Sequence, residues 1–146
     1  MPVKNILVTV DFSDLSDDVV AKATSIAAAF SAKLQLLHVA APDPDFVGYD
    51  AGPQTTRDAV AKSFRDQHRQ LQVMAEKLRD SGLDCDAILV QGPYVEKIVS
   101  ESKRLDADLI VIGAHSKGLV SRVLLGSVSE GVLRKSHIPV MVVPAR

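Results

Sequence analysis

The sequence predicts a single-domain α/β protein with a doubly wound, five-stranded parallel sheet and helices on both faces, a Rossmann-like architecture. Five short runs of Val, Ile and Leu alternate with segments of helical periodicity, in the order βαβαβαβαβ. The first and fourth runs are almost continuously apolar, which is typical of strands that are covered on both faces. Because a chain of 146 residues has the length of one domain, we assign residues 1–146 to a single domain.

Each element is predicted from its own pattern of residues. The apolar runs place strands at Asn5–Val10, Lys33–Val39, Ala87–Val90, Asp108–Ile112 and Pro139–Val143. Apolar spacings of three and four place helices from about Asp14 to Ser31, along the stripe Val60–Leu78, from Pro93 to about Arg104, and from Gly126-Ser127 to about Ser136. In the first helix, Ser13 is the expected N-cap and Phe30 ends the apolar stripe. The segment from Ala40 to Thr56, rich in Pro and Gly, predicts a mobile loop over one edge of the sheet.

Composition and charge argue against several classes of function. The net charge is −1, no basic run occurs and aromatic residues make up only 4%, so we do not expect nucleic-acid binding. The N-terminal stretch does not resemble a signal peptide, and no apolar run approaches the ~20 residues of a membrane span. We therefore expect a cytoplasmic protein without a membrane segment. The single cysteine, Cys85, is interpreted as a packed structural thiol rather than a redox centre.

A ligand site is expected at the carboxyl edge of the sheet. Open parallel sheets bind ligands beyond the carboxyl ends of their strands, at the point where the strand order reverses. Asp11 follows the first strand, Val39 ends the second, and Gly113 follows the fourth. Glycine at a strand end allows the backbone to approach a ligand closely. These positions therefore converge on one candidate site.

The segment after the fourth strand has the features of a phosphate site. Gly126 leads directly into a predicted helix with Ser127 at its start, and a helix N-terminus presents free N–H groups and a partial positive charge. Lys117 and Arg122 add positive charge from within the segment. Each residue taken alone also has a simpler explanation. Gly126 is explained by a turn and Ser127 by a helix cap. Lys117, Arg122 and His115 are explained by exposure to solvent. The combination at one sheet edge favours phosphate binding.

The same segment resembles the signature of the universal stress protein family, Gly-x2-Gly-x9-Gly-[Ser/Thr]. The matching residues are Gly113-x2-Ser116-x9-Gly126-Ser127. Flanking stretches are similar to the family in the same order: Ile6–Ser13, Leu36–Val39, Asp108–Gly113, Leu124–Val128 and Ile138–Val143. The resemblance covers nearly the whole chain and is weakest from Ala40 to Thr56. It implies the strand order 3-2-1-4-5 of an adenine nucleotide α hydrolase-like fold.

The resemblance further implies binding of ATP, or of ADP or AMP. The implied contacts are Asp11 and Gly113 at the ribose, the Val39 backbone at the adenine edge, and Ser116, Gly126, Ser127 and Val128 at the phosphates. Apart from the resemblance, Asp11 is a candidate ligand for Mg²⁺ carried by the nucleotide, although no second carboxylate joins it. Ser116 departs from the family pattern, which has glycine there, and a positive φ at this position would cost ~1–2 kcal/mol for serine.

A homodimer with a role in the stress response is also implied by the resemblance, with the final strand, Ile138–Val143, pairing across a twofold axis. An exposed apolar edge strand needs such a cover. The sequence contains neither a Walker A motif nor a dinucleotide-type glycine fingerprint after the first strand, so efficient turnover is not expected. Two alternatives stay open: slow ATP hydrolysis, and a family member that acts through protein partners without nucleotide.

Overall fold

A computed structural model describes residues 2–41, 54–114 and 126–144, and at residues 54–57 it describes the backbone alone. In these ranges the chain forms strands and helices in the predicted alternating order. The elements are β1 Asn5–Thr9, α1 Asp14–Phe30, β2 Lys33–Ala40, α2 Gln54–Asp80, β3 Cys85–Gln91, α3 Tyr94–Arg104, β4 Leu109–Gly113, α4 Ser127–Lys135 and β5 Val140–Val143.

The strands form one five-stranded parallel sheet in the order β3-β2-β1-β4-β5, which confirms the fold class and the strand order expected from the sequence. The register pairs Thr9 of β1 with Leu37 of β2, and Val8 of β1 with Val111 of β4. From β1 the chain crosses over to β2, whereas from β4 it crosses over to β5 on the opposite side. The strand order therefore reverses between β1 and β4, beyond whose carboxyl ends a crevice opens.

Alternation of side chains along the strands gives each face of the sheet its own core. In β2, Leu36 packs in the cluster that contains Val19 of α1 and Leu71 of α2. The next residue, Leu37, points to the opposite face, into the cluster that contains Ile98 of α3 together with residues of α4. Burial of one such side chain contributes ~1.5–3 kcal/mol to folding. Helices therefore cover both faces, as right-handed crossovers require.

The connection between β2 and α2 is shorter than the predicted loop from Ala40 to Thr56. β2 continues through Ala40, because this residue still pairs with Gln91 of β3, and α2 begins at Gln54. The remaining connection at positions 42–53 lies outside the described residues. β3 also begins two residues before the predicted Ala87, since its pairing with β2 starts at Cys85.

Of two predicted details of α1, the N-cap residue is confirmed, whereas the place of Phe30 on the buried side of the helix is wrong. Ser13 occupies the N-cap position, but its hydroxyl makes no capping hydrogen bond and donates to Asp11 Oδ1 instead, at 2.5 Å. Phe30 is 58% exposed rather than buried. The 17 residues of α1 extend over ~25 Å, whereas the five residues of β1 extend over ~17 Å. The last turn of α1 therefore runs past the end of the strand that it covers.

Cys85 is a buried free thiol, as expected from the sequence. It is 1% exposed at the start of β3 and packs in the cluster under α1 and α2. Burial raises the pKa of the Cys85 thiol to about 11, because the thiolate would lose its hydration in this environment. Near neutral pH the group is therefore an uncharged, apolar packing residue.

A glycine brings α4 close to α3. A Cβ atom placed on Gly131 would lie 2.7 Å from Cγ2 and 3.2 Å from Cγ1 of Val95, on α3. Branched side chains such as Val95 strongly prefer one rotamer in a helix, so this one does not easily turn aside. Lys135 Nζ and Glu96 Oε1, 3.2 Å apart, join the same helices at their surface. Position 131 therefore sets the spacing of the two helices, and with it the location of the start of α4.

We predict that Gly131→Ala lowers the free energy of unfolding by ~1–3 kcal/mol, because the new methyl group overpacks against Val95. At a helix position without this contact, the same change would be stabilising by up to ~1 kcal/mol. In a Val95→Ala background the sign of the effect should therefore reverse. Urea unfolding of the four proteins in this cycle measures the coupling. If Gly131→Ala stabilises the otherwise unchanged protein, the close contact is absent.

Candidate functional site

A cleft of about 690 Å³ lies at the carboxyl edge of the sheet, where β1 and β4 part. Its walls come from the ends of β1, β2 and β4, from the N-terminal parts of α1, α3 and α4, and from Gln67 of α2. Volumes of roughly 300–1,000 Å³ are typical of small-molecule sites. The cleft is therefore the candidate functional site, at the switch point that the sequence indicates.

The Asp11 side chain is anchored at the wall of this cleft by the start of α1. Its Oδ1 accepts hydrogen bonds from the Ser13 N–H (2.9 Å), the Ser13 hydroxyl (2.5 Å) and the Ser16 hydroxyl (2.7 Å). The Ser16 hydroxyl oxygen in turn accepts a hydrogen bond from the Asp11 N–H at 3.2 Å. Several donors on one carboxylate oxygen hold the side chain in a defined orientation. A negatively charged group is thus fixed at the end of β1.

The turn that carries Asp11 contains an unusual backbone conformation. Phe12 has a φ of 61°, in the left-handed region that residues other than glycine rarely adopt. Its ring packs against that of His38, with centroids 4.6 Å apart and an interplanar angle of 47°. His38 Nδ1 donates a hydrogen bond to the Val10 carbonyl oxygen at 2.6 Å, so this nitrogen carries a proton. The buried His38 therefore stabilises the turn from the neighbouring strand.

The main-chain groups of Val39 are directed toward the cleft by the alternation of β2. The Leu37 carbonyl faces β1 and accepts a hydrogen bond from the Val10 N–H at 2.8 Å. The Ala40 carbonyl faces β3 and accepts one from the Gly92 N–H at 3.2 Å. Since peptide groups alternate along a strand, the amide and carbonyl of Val39 face the β1 side, as those of Leu37 do. Because β1 ends before the level of Val39, the amide and carbonyl of Val39 face the cleft rather than a neighbouring strand.

Gly113 ends β4 at a point where α1 comes very close. A Cβ atom on Gly113 would lie 2.9 Å from Leu15 Cδ2 and 3.1 Å from Val19 Cγ2. Both separations are shorter than the ~3.5–4.0 Å of favourable carbon–carbon contacts. Glycine is therefore needed here for the packing of α1 on the sheet, a role that its place in the signature does not reveal.

The start of α4 presents backbone N–H groups beside the cleft. Gly126 is the N-cap residue, and its φ of −67° and ψ of 158° are accessible to any residue. The first hydrogen bond of the helix joins the Glu130 N–H to the Gly126 carbonyl oxygen, at 3.0 Å. The N–H groups of Ser127, Val128 and Ser129 precede this bond and have no acceptor within the helix. They form, with the helix dipole, an end that attracts anions.

Two hydrogen bonds attach this helix start to the end of β4. The Ser129 hydroxyl donates to the Gly113 carbonyl oxygen at 2.7 Å, and Ser129 is only 1% exposed. The Gly126 N–H donates to the Ala114 carbonyl oxygen at 3.2 Å. Ala114 is itself connected to β5, because its N–H donates to the Val143 carbonyl oxygen at 2.8 Å. The first turn of α4 is therefore fixed relative to the sheet.

The predicted site residues that the structure describes lie together at the cleft. Those that line the cleft are Asp11, Val39, Gly113 and Val128. Gly126 and Ser127 directly precede Val128 at the start of α4. The predicted residues Ser116, Lys117 and Arg122, and the loop residue His115, lie outside the described residues.

Several cleft residues were missed by sequence reasoning: Ser16, His38, Tyr94, Ile98 and Ser129. The pattern Asp-x-Ser-x2-Ser that begins at Asp11 is a usable signal, because Asp and Ser readily bond to nearby backbone at a helix start. Tyr94 follows a Gly-Pro pair, which marks the start of a helix but not the direction of its first side chain. His38 and Ser129 become recognisable only through their tertiary partners.

Metal clusters and membrane-spanning helices were also sought among the residues that the structure describes. No group of three or more His, Cys, Asp or Glu side chains is arranged to hold a metal ion in these ranges. Nor does any helix there combine the length and the apolar character needed to span a membrane. In the described residues, Asp11 is the one acidic side chain that lines the cleft.

An open parallel sheet with a cleft at its switch point defines a Rossmann-like α/β protein. The sequence matches the family model described as the universal stress protein family over residues 2–144. The chain therefore belongs to the universal stress protein family.

Individual relatives show the same similarity over whole domains. A universal stress protein of Thermus aquaticus is 33% identical over 141 residues, which cover 96% of this chain and 98% of the relative. The structure of MJ0577, a Methanocaldococcus jannaschii universal stress protein, matches with a TM-score of 0.82 at 25% identity, covering 100% of this chain and 99% of that one. A universal stress protein solved in complex with cAMP matches with a TM-score of 0.65 at 26% identity, covering 98% of both chains.

Proposed function

We propose that the protein binds ATP, or the related nucleotides ADP and AMP, in the cleft and acts as a cytoplasmic, dimeric stress-response regulator rather than as an efficient enzyme. The observation that carries the proposal is that the open N-terminus of α4 and the outward-facing peptide groups of Val39 lie at the same cleft. A related universal stress protein binds cAMP, which is also an adenine nucleotide.

The apolar side of the cleft suits a nucleobase. Leu37, Val39, Ile98 and Ile112 line it from β2, α3 and β4, and all are at least nine-tenths buried. Adenine presents an N–H donor at N6 beside an acceptor at N1. The carbonyl and amide of Val39 are the matching acceptor and donor. A base held by main-chain groups is recognised by its edge, so hypoxanthine and guanine, which reverse this pattern, should bind less well.

The phosphates are proposed to bind at the start of α4. The N–H groups of Ser127, Val128 and Ser129 supply donors, and the helix dipole supplies partial positive charge. α1 and α3 also begin at this edge, but their first turns carry Asp14 and Asp17, and Glu96. The sequence-predicted contributions of Ser116, Lys117 and Arg122 belong to the same proposal.

The ribose is proposed to lie between Asp11 and Gly113, which follow β1 and end β4, respectively, and both line the cleft. Mg²⁺ would be carried by the phosphates, with Asp11 as its protein ligand. Hydrolysis of a phosphoanhydride requires a positioned water molecule in addition to metal and phosphate contacts. Since Asp11 is the one acid among the described lining residues and its Oδ1 already receives several hydrogen bonds, we propose at most slow hydrolysis.

We predict that Gly126→Val abolishes ATP binding, because the side chain would occupy the space in front of the α4 N–H groups. The fold should persist, since the backbone conformation at Gly126 is accessible to valine. Titration calorimetry measures the affinity, and circular dichroism measures the fold. Ser127→Ala is the matched control: it keeps the N–H groups and should weaken binding by no more than about tenfold. Unchanged affinity of Gly126→Val for ATP would contradict the proposed phosphate site.

The dimer is proposed to form through Ile138–Val143, which contains β5. This strand lies at the end of the sheet, next to β4, and its central Met141 is 38% exposed. An apolar edge strand of this kind pairs readily with a second copy of the chain.

We predict that Met141→Glu converts the dimer to a monomer, because a charge would be buried at the paired edge. Light scattering coupled to size-exclusion chromatography measures the mass. Val73→Glu on α2 is the control, since Val73 is also exposed, at 43%, but lies far from β5 in the fold. Equal masses for Met141→Glu and the unsubstituted protein would argue against this interface.

A further inference from the structure

We propose that Tyr94 is the stacking residue for the nucleobase and so contributes to the preference for base-bearing ligands. The inference rests on the proposed function, because it names a contact of the same ligand. It concerns a residue that lies outside the family signature and that no sequence motif assigns to the site.

Tyr94 differs from the other large apolar side chains on the surface. Six such side chains are exposed in the described residues: Phe30, Val60, Val73, Tyr94, Leu133 and Met141. Of these, Tyr94 is the one that lines the cleft, and it is 43% exposed there. Within the described residues its side chain makes no hydrogen bond and no ring contact. The exposed part of its ring is therefore available to a ligand.

The backbone before Tyr94 fixes where the ring stands. Gly92 has a φ of 145°, a conformation that suits glycine, and its N–H donates to the Ala40 carbonyl oxygen at 3.2 Å. Pro93 follows as the N-cap of α3, and the first bond of the helix joins the Lys97 N–H to the Pro93 carbonyl oxygen at 3.0 Å. Tyr94 is thus the first helical residue and is attached to the end of β2, close to Val39.

The ring and its neighbour form one wall of the cleft. Ile98 lies one helical turn after Tyr94 on the same side of α3, lines the cleft and is 3% exposed. Asp11 and Ser16 also line the cleft, and Ser16 lies on α1, which covers the opposite face of the sheet from α3. The flat face of a nucleobase is apolar. When the edge of the base contacts the Val39 peptide groups, we expect this face to pack on the apolar wall formed by Tyr94 and Ile98. Aromatic stacking on a base changes affinity by about 5- to 150-fold on substitution by alanine.

The test compares ATP with inorganic triphosphate, which has the phosphates but no base, by titration calorimetry at constant Mg²⁺. Tyr94→Ala should weaken ATP binding at least about fivefold and leave triphosphate binding unchanged. Tyr94→Phe keeps the ring and should bind ATP within about twofold of the unsubstituted protein. Phe30→Ala removes another exposed aromatic ring, at the far end of α1, and should change neither affinity.

Tyrosine fluorescence supplies a second readout. The chain contains no Trp and two Tyr residues, Tyr49 and Tyr94, so in a Tyr49→Phe variant the emission comes from Tyr94. ATP should quench this emission on binding, whereas inorganic triphosphate should not. Equal ATP affinities of the Tyr94→Ala and unsubstituted proteins would overturn this inference and leave the proposed function in place. If the unsubstituted protein binds no adenine nucleotide at all, the proposed function and the inference both fail.

Discussion

Backbone groups that the sheet leaves unpaired are the constraint on which the site depends. β1 and β4 end side by side and their chains leave in opposite directions, so the Val39 peptide groups and the first N–H groups of α4 face an open cleft. Buried or half-buried peptide groups need partners, and a ligand with complementary donors and acceptors can supply them. The same backbone arrangement therefore explains both the location of the cleft and the polarity of the ligand that suits it.

Close helix packing keeps this arrangement in place. Gly113 lets α1 approach the end of β4, and Gly131 lets α4 approach α3. The hydrogen bond from Ser129 to Gly113 then joins the first turn of α4 to the same strand end. His38 acts similarly on the other side, where it holds the Val10 carbonyl and the Phe12 ring. The proposed binding groups are mostly main chain, whereas the residues that position them are side chains and glycines.

Element types and their order are predictable from the sequence because the signals are local. The continuous apolar runs of β1 and β4 and the helical stripes between strands require only neighbouring residues. The strand order came from the family resemblance, since periodicity does not order strands. Phe30 shows what an apolar helical pattern cannot predict, because the burial of this residue depends on how far the sheet extends beneath the helix. Tyr94 and His38 were missed for the same reason: their roles follow from which elements meet at the cleft, which is a tertiary property.

The central claim, that the first N–H groups of α4 bind the phosphates of an adenine nucleotide, is tested most directly by amide NMR. Isotope-labelled protein is titrated with ATP and, in parallel, with adenosine, which lacks phosphate. We predict that the amide signals of Ser127, Val128 and Ser129 shift with ATP but not with adenosine, while that of Val39 shifts with both. Saturation with ATP that leaves the three α4 amide signals in place would contradict it.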